Sequence, residues 1–293
     1  NKFTENHLKG FNTEKLFKIT AQTDKAIDYF WKPFIIAVFN AEPQDTSAYL
    51  FSKMIRMGFI EKGGSELVLP NGFLSDIFVE PAIDFLKQKN ADIILNKSVS
   101  GFISSIILED SIEIKTDFYI SAVPFFNFKI MLGNDVHSRF FGELSELTPS
   151  PIVNIHLKFD KDISSIFNSE FIGLLNTSSQ WVFKVTNDQV CVVISSAGEI
   201  AEKSKEYITD LAVGELKICI PELIGFKVTA SRVIKEMRAT FVPDTRSLNN
   251  RPANATSISN FFIAGDWTDT GLPATIEGAV KSARSCVAEI EKK

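Results

Sequence analysis

The sequence predicts an α/β (α+β) fold with a Rossmann-like strand–turn–helix unit at its C-terminal end and a region of mixed strands and helix before it. Two observations predict it. The chain ends with an apolar run, Phe261–Ala264, then Gly265-Asp266, a polar turn and a helix of apolar periodicity, the strand–turn–helix order of a Rossmann-like unit. Between residues 151 and 240, alternating strands surround a single helix.

Helices are predicted in the first third of the chain, where apolar residues recur at helical spacing. They cover residues 12–19, 22–38, 45–58 and 74–88. Pro33 is expected to kink or divide the second of them, because proline lacks the N–H that a helix interior requires.

Short strands are predicted next. Residues 91–98 form an apolar strand-like run, and residues 101–108 and 111–120 predict a hairpin. A further apolar strand is predicted at 117–124, overlapping the end of that hairpin.

The second half of the chain shows a different pattern. Residues 152–159 alternate between apolar and polar side chains, as expected for a half-exposed strand. Residues 180–185, 190–196 and 226–240 predict further strands, and residues 199–219 predict a helix.

The C-terminal segment carries the most informative pattern. A polar loop is predicted over 244–257, the strand 261–264 follows it, and Pro273 suits the first turn of the last helix. The face of that helix expected to be buried contains Ile276, Ala279, Val280, Ala283, Val287 and Ile290. The helix start offers free N–H groups and a positive dipole beside Gly265-Asp266, which predicts a dinucleotide site.

Composition argues against several kinds of protein. A net charge of −5 without basic clusters argues against nucleic acid as a partner. Cys191, Cys219 and Cys286 lie in apolar patterns, so we expect reduced core residues and neither a disulfide nor a metal site. No apolar run approaches the roughly 18 residues of a membrane-spanning helix. The 26 phenylalanines have two possible explanations, a compositional bias of the genome or a large apolar cavity for a hydrocarbon substrate.

One motif expected of a dinucleotide domain is absent. Such a domain normally begins with G-x-G-x-x-G between a strand and a helix, and this sequence contains no G-x-G. The first residues show neither a start methionine nor a strand. We therefore expect a C-terminal portion of a longer protein, lacking at least one βαβ unit, that holds a dinucleotide weakly or not at all.

The segment Phe261–Val280, FFIAGDWTDTGLPATIEGAV, resembles the C-terminal flavin motif of FAD-dependent amine oxidases and phytoene desaturases. Its part 267–275, WTDTGLPAT, is similar to the squalene-associated branch, the hydroxysqualene dehydroxylases. Segments 150–160 and 238–243 are similar to that branch as well, and the resemblance runs from about residue 14 to the end. It implies an incomplete FAD-binding Rossmann-like domain with an inserted substrate domain.

The resemblance implies FAD as the cofactor and assigns its contacts. Gly265 and Asp266 would contact the ribitol and pyrophosphate, and Trp267 would either flank the flavin or pack in the core. Val99 would contact the adenine through its backbone N–H and C=O groups. The start of the last helix would lie under the flavin ring and favour its reduced form, through Pro273, Ala274, Thr275 and Ile276.

The resemblance also implies a long isoprenoid substrate, hydroxysqualene, reduced to squalene with hydride from reduced FAD. Trp31, Asn40 and Arg238 are expected to line its pocket, and no residue is assigned as the catalytic acid. Such a substrate implies a cytoplasmic protein in peripheral contact with the inner face of a membrane. Two alternatives stay open: a carotenoid or phytoene desaturase, which moves hydride from substrate to flavin, and a non-catalytic isoprenoid-binding module.

Domain boundaries follow from this assignment. Residues 1–73 would supply helices of the substrate domain, and residues 74–150 the middle of the FAD-binding domain. Residues 151–240 would form the sheet and helix of the substrate domain, and residues 241–293 the C-terminal strand and helix of the FAD-binding domain.

Overall fold

The computed structural model describes residues 4–64, 66, 68–70, 72–102 and 105–293. A helical segment comes first and a small antiparallel sheet follows it. A two-stranded parallel sheet joins the middle of the chain to its end, and a five-stranded antiparallel sheet with helices forms most of the second half. This mixture confirms the predicted α/β (α+β) class.

The N-terminal segment is helical, as the apolar spacing predicted. Its core surrounds Phe17, whose ring centroid lies 5.5 Å from that of Phe51 and 6.0 Å from that of Trp31. Among the described helices, none is both long and apolar enough to cross a membrane. The helices are α1 (Glu5–Lys9), α2 (Thr13–Ile19), α3 (Asp24–Ala26), α4 (Lys32–Phe39), α5 (Ala48–Ile55) and α6 (Glu80–Gln88).

Prolines accompany two interruptions of the predicted helices. A π-helical turn, Ile27–Trp31, precedes Pro33, and another, Ser75–Val79, precedes Pro81. Because proline donates no N–H, it cannot continue the regular hydrogen-bond pattern, and the wider π turn accommodates the interruption. The division predicted at Pro33 is therefore present.

The strand predicted at 91–98 is absent, so that prediction is wrong. These residues are exposed and form no ladder. A strand needs a neighbour for its backbone N–H and C=O groups, and within the described part of the chain no strand lies beside this run.

The next residues form a small antiparallel sheet in the order β1-β2-β3. It contains β1 (Val99–Phe102), β2 (Ile106–Leu108) and β3 (Glu113–Ile114). The pair β2–β3 is the core of the predicted hairpin, whereas the predicted 101–108 strand is divided between β1 and β2, which pair with each other. Residues 103 and 104 of that strand lie outside the described residues.

Two elements connect the small sheet to the large one. The strand β4 (Tyr119–Ser121) lies within the predicted strand 117–124. The helical segment α7 (Phe128–Phe140) follows it, with a kink at Gly133 where φ is 75°, and it buries Phe128 and Leu132.

The large antiparallel sheet has the strand order β6-β7-β8-β5-β9. The alternation predicted for 152–159 is confirmed, because Val153, Ile155 and Leu157 are all buried on one face. The strands are β5 (Pro149–Phe159), β6 (Phe171–Gly173), β7 (Trp181–Thr186), β8 (Gln189–Ile194) and β9 (Val228–Phe241).

The helix predicted at 199–219 is divided into α8 (Gly198–Ala201) and α9 (Lys205–Cys219). Ser204 separates them because its side-chain oxygen accepts the backbone N–H three residues later at 3.1 Å and caps a new helix. Cys219 is exposed, so its predicted place in the core is wrong. The residues of α9 that pack in the core of the sheet are Ile208, Ala212 and Leu216.

The polar loop predicted at 244–257 contains a helix, α10 (Thr245–Asn250). Asp244 caps it, because its carboxylate accepts the N–H of Ser247 at 2.7 Å. The final predicted strand is present as β10 (Phe261–Ile263), parallel to β4.

The last helix, α11 (Ile276–Ile290), buries a different face from the one predicted. Of the predicted apolar stripe, Ile276 is 53% exposed, Val280 42% and Val287 48%. Ala279 and Ile290 of the stripe are half-buried, and Ile290 packs against Phe262, Ala264 and Cys286. Polar contacts made by the inward face fix this rotation. The buried residues of α11 are small: Gly278, Ser282 and Cys286.

Asn40 joins the helical segment to the large sheet. It ends α4 in the left-handed conformation, with φ 51°, and is buried. Its Nδ2 donates to Ser150 C=O at 3.1 Å and to Thr240 Oγ1 at 2.9 Å, and its Oδ1 accepts the N–H of Ser196 at 2.6 Å. One side chain thus links α4 to three segments of the sheet region.

We expect Asn40→Gly to lower the free energy of unfolding by about 2 kcal/mol, because buried backbone groups lose their partners. Asn40→Ala should cost about 1 kcal/mol more, since alanine is strained in the left-handed region. Urea unfolding measures both variants. The exposed Asn176, at φ 59°, supplies the control Asn176→Gly, which should be near neutral. Equal stability of Asn40→Gly and this control would contradict the account.

Candidate functional site

The ends of β4 and β10 form one edge of the parallel pair. Phe261 pairs with Tyr119 and Ile263 with Ser121, and Ala264 continues the pairing by donating its N–H to Ser121 C=O at 3.0 Å. The chain therefore leaves the sheet at Gly265-Asp266, on the carboxyl edge, where ligands bind to parallel sheets.

Gly265 turns the chain where no side chain fits. Its φ is 156°, and a Cβ would lie 2.4 Å from Trp267 Nε1. That indole is 2% exposed, donates to Val123 C=O at 3.2 Å and packs with its ring centroid 5.2 Å from that of Phe128. Trp267 is thus engaged in core packing, one of the two roles left open by the sequence.

Ser282 of α11 holds this turn from the helix side. It is fully buried, and its Oγ accepts the N–H of Gly265 at 3.0 Å. The same oxygen lies 2.7 Å from Thr268 Oγ1 and accepts from Asn254 Nδ2 at 2.9 Å. Sequence reasoning missed both Ser282 and Asn254, because neither belongs to an apolar periodicity and their contact spans 28 residues.

We expect Ser282→Ala to destabilise the protein by about 1–3 kcal/mol, since three buried polar groups lose their common partner. The exposed Ser285, one turn later on α11, is the matched control, and Ser285→Ala should change stability by less than about 0.5 kcal/mol. Thermal unfolding compares the two. Indistinguishable midpoints would show that the network contributes nothing.

Arg251 holds the other side of the same loop. It is 6% exposed, and its Nη1 donates to Leu272 C=O at 2.7 Å. Its Nη2 donates to Asp266 C=O and to Thr270 Oγ1, both at 2.8 Å. The Arg251 guanidinium therefore joins the two ends of the loop 266–272 through hydrogen bonds. Sequence reasoning did not select Arg251, which lies in the segment predicted as a polar loop.

Arg251 also influences the charge of Asp266. Burial raises the pKa of the half-buried Asp266 carboxyl above its ordinary value, and the nearby Arg251 guanidinium opposes that rise. Burial lowers the pKa of Arg251 to about 10, so the guanidinium stays charged at neutral pH. An ionised Asp266 can accept hydrogen bonds from the hydroxyls of a sugar or sugar alcohol.

The start of α11 lies beside Asp266. Thr275 caps the helix, because its Oγ1 accepts the N–H of Gly278 at 3.0 Å. A Cβ built on Gly278 would lie 3.8 Å from Asp266 Cα, which shows how closely the helix approaches the turn. Among the described residues, the N–H groups of Ile276 and Glu277 have no acceptor. They are available to an anion or a polarised carbonyl.

These groups fit the chemistry of FAD. Asp266 offers a carboxylate to hydroxyl groups, and the first turn of α11 offers N–H donors to a polarised ring carbonyl. Pro273 and Ala274 between them are small and without charge, which suits a flat aromatic ring system.

Of the residues predicted to line the substrate pocket, Arg238 lies close to this site. It borders a cavity of about 210 Å³ together with Gly265, Asp266 and Trp267. Its guanidinium lies 3.8 Å from the centroid of the Phe126 ring, which stabilises its position by cation–π attraction.

Trp31, Asn40 and Val99 lie elsewhere. Trp31 packs in the helical core and donates its Nε1–H to Gln22 Oε1 at 2.8 Å. The side chain of Asn40 is occupied by the link described above. Val99 pairs with Leu108 in the small sheet. Their roles in binding stay predictions.

A second cavity, of about 900 Å³, opens between α1 and α5. Its volume falls in the range of sites for small organic ligands. Its lining combines apolar and charged side chains, among them Leu8, Tyr49, Lys53, Met57, Ile60 and Glu61.

Comparison with known sequences places this site in a family context. The family model described as flavin containing amine oxidoreductase matches residues 5–291. Hydroxysqualene dehydroxylase of Sinorhizobium fredii is 29% identical over 86% of this chain and 59% of its own length. Hydroxysqualene dehydroxylase of Zymomonas mobilis is 26% identical over 86% of this chain and 60% of its own length. The 15-cis-phytoene desaturase of Solanum lycopersicum is 24% identical over 78% of this chain and 43% of its own length. The chain thus spans at most 60% of the length of these three relatives.

Solved structures show the same fold. An oxidoreductase from Methanosarcina mazei matches with a TM-score of 0.70 at 15% identity, covering 97% of this chain and 68% of its own. A putrescine oxidase variant redesigned for cofactor binding matches with a TM-score of 0.69 at 12% identity, over 98% and 69%. At these identities the likeness concerns the fold alone, and it confirms the predicted fold class.

Proposed function

The chain belongs to the flavin containing amine oxidoreductase family, and on that premise we propose that the complete protein is an FAD-dependent oxidoreductase acting on a long isoprenoid. Its reaction is the reductive removal of a hydroxyl from hydroxysqualene to give squalene. The observation that carries this proposal is the 29% identity, over 86% of the chain, to a hydroxysqualene dehydroxylase.

The site supports the proposal through its own residues. Arg251 holds the loop 266–272 and opposes the neutralisation of Asp266, which can therefore accept hydrogen bonds from the cofactor. The N–H groups of Ile276 and Glu277 lie at the positive end of α11, where they stabilise added negative charge. Bound FAD in its reduced form would supply the hydride.

A second candidate function is desaturation of a carotenoid precursor. It is supported by the 24% identity, over 78% of the chain, to a 15-cis-phytoene desaturase. Hydride would then move from substrate to oxidised flavin, the opposite direction.

A long isoprenoid partitions into membranes, so we also propose peripheral contact with a bilayer. Exposed apolar side chains on the helical segment support it, including Phe30 at 49% and Phe59 at 52% exposure, with ring centroids 6.4 Å apart. Cosedimentation of the complete protein with vesicles of zwitterionic lipid tests this contact, and no binding would contradict it.

Product analysis distinguishes the two reactions. The complete protein is incubated anaerobically with reduced flavin and hydroxysqualene, and separately with oxidised flavin and phytoene, and products are identified by mass spectrometry. We expect squalene in the first incubation and unchanged phytoene in the second. New double bonds in the second would establish the desaturase instead, and bound flavin without product in either would exclude both.

A further inference from the structure

Lys53, near the C-terminal end of α5, has an ammonium group that lacks a partner. Among the described residues it forms neither an ion pair within 4.0 Å nor a hydrogen bond. Lys53 is partly buried, and it is one of the residues that line the cavity of about 900 Å³. A partly desolvated cation without a partner lowers stability, so the position calls for a role in binding or chemistry.

The same ammonium lies against the loop that leads to the flavin site. A Cβ built on Gly271 would lie 2.5 Å from Lys53 Nζ, and Gly271 has a φ of 66°. Glycine adopts this conformation readily, whereas a side chain at this position would require the Lys53 ammonium to move. Lys53 thus lies between the cavity and the loop that joins Asp266 to Thr275.

Charged groups of both signs face Lys53. Lys281 on α11 and Arg251 favour loss of its proton, while Glu5 on α1 and Asp269 in the loop oppose it. Tyr49, Arg56 and Glu61 line the same cavity. Burial, followed by the repulsion from Lys281, lowers the pKa of Lys53 below its ordinary value, which makes the ammonium a stronger acid.

We propose that Lys53 is the catalytic acid that protonates the departing hydroxyl of the substrate, which then occupies the cavity between α1 and α5. This inference rests on the proposed function. The C–O bond breaks as Lys53 Nζ gives a proton to the hydroxyl oxygen, which leaves as water. Reduced FAD, when bound, would supply the hydride for the new C–H bond and the two electrons of the reduction, and the neutral Lys53 amine regains a proton from solvent.

Two substitutions in the complete FAD-loaded protein test the role. Lys53→Met removes the proton donor, and Lys53→Arg keeps the charge but cannot release a proton near neutral pH. We expect each to lower kcat by about a hundredfold or more, the size of a general-acid contribution, without changing KM. Lys18→Met, which removes an exposed lysine paired with Glu14, is the control and should keep full activity.

The acidity of Lys53 is measured independently of turnover. Reductive ¹³C-methylation of the FAD-loaded protein, followed by NMR, gives the titration of each lysine, and loss of a signal in Lys53→Arg assigns Lys53. We expect its pKa to lie below those of the exposed lysines. In unchanged protein kcat should fall as pH rises through that pKa, because the acid must be protonated.

The outcomes separate the two proposals. Squalene formation by unchanged protein, combined with full kcat in Lys53→Met or an ordinary Lys53 titration, overturns the proton-donor role alone. Absence of squalene from unchanged, FAD-loaded protein overturns the proposed function and this role with it. Flavin absorbance and thermal unfolding show whether each variant is folded. If Lys53→Met does not fold, the kcat of Lys53→Arg tests the proton-donor role.

Discussion

Arg251→Met should weaken FAD binding by the complete protein about a hundredfold or more and lower its stability by about 3–5 kcal/mol. The substitution leaves Leu272 C=O, Asp266 C=O and Thr270 Oγ1 without the donor that joins them, and all three belong to the loop that would hold the cofactor. Flavin fluorescence titration measures affinity, and urea unfolding measures stability. Arg246→Met is the control, because Arg246 is exposed and only reaches Glu146 at 3.7 Å. Equal flavin affinity in the two variants would contradict the role of Arg251.

The pH dependence of FAD affinity distinguishes two contributions of Arg251, the effect of its charge on Asp266 and the hydrogen bonds made by its planar guanidinium. Affinity should fall as pH falls through the pKa of Asp266, because a protonated carboxyl is a weaker acceptor. Burial raises that pKa and Arg251 opposes the rise, so Arg251→Met should move the fall to higher pH. Arg251→Lys keeps the charge but not the planar fork, so it should weaken binding with little shift of the profile. Identical profiles in the two variants would show that the charge of Arg251 does not act on Asp266.

Gly265→Ala should destabilise the protein by about 3 kcal/mol and abolish tight FAD binding. The new methyl group would lie 2.4 Å from Trp267 Nε1 and 2.8 Å from its Cδ1, so the indole must move and give up its hydrogen bond to Val123. Gly198→Ala is the control, since a Cβ there meets nothing within 4 Å. Thermal unfolding and flavin content of the purified protein report the two effects.

A double-mutant cycle identifies the clash as the cause. In a Trp267→Leu background, which removes the indole, Gly265→Ala should cost at least about 1 kcal/mol less than it does alone. Additive effects would mean that the backbone conformation of Gly265, at φ 156°, and not the indole, sets the cost.

Local sequence patterns predicted the elements whose environment is local. The alternation along 152–159 predicted β5 and its buried face, because alternate side chains of a strand point to opposite faces and only one face of the sheet is covered. Pro33 gave the division of the second helix, because the missing N–H acts within one turn. The Gly265-Asp266 turn and the helix after it were predicted for the same reason.

Predictions that depend on distant partners failed. The run 91–98 has strand composition but no neighbouring strand among the described residues, and composition cannot supply one. The face of α11 was predicted from its apolar side chains, whereas Ser282 and its contacts with Gly265 and Asn254 decide the rotation. Buried polar networks of this kind override apolar periodicity because an unpaired buried polar group costs more than an exposed methyl group.

The residues that support the site were missed for the same reason. Arg251 lies 15 residues before Asp266 in a stretch that looked like a polar loop, and only the structure shows that its guanidinium is buried within the flavin motif. Lys53 is more than two hundred residues from Gly271 in sequence and had no pattern to mark it. Among the described phenylalanines, none lines the cavity of about 900 Å³. Many of them pack in cores instead, and Phe128, Phe141, Phe241 and Phe262 are fully buried.

A single turnover in deuterium oxide tests the central claim most directly. The complete protein is reduced anaerobically, so that flavin N5 carries deuterium after exchange with solvent, and hydroxysqualene is added without any other oxidant. The account predicts that flavin absorbance returns to that of the oxidised form and that squalene appears with one deuterium bound to carbon. Flavin that stays reduced, or squalene formed without deuterium, would contradict hydride transfer from flavin to the substrate carbon.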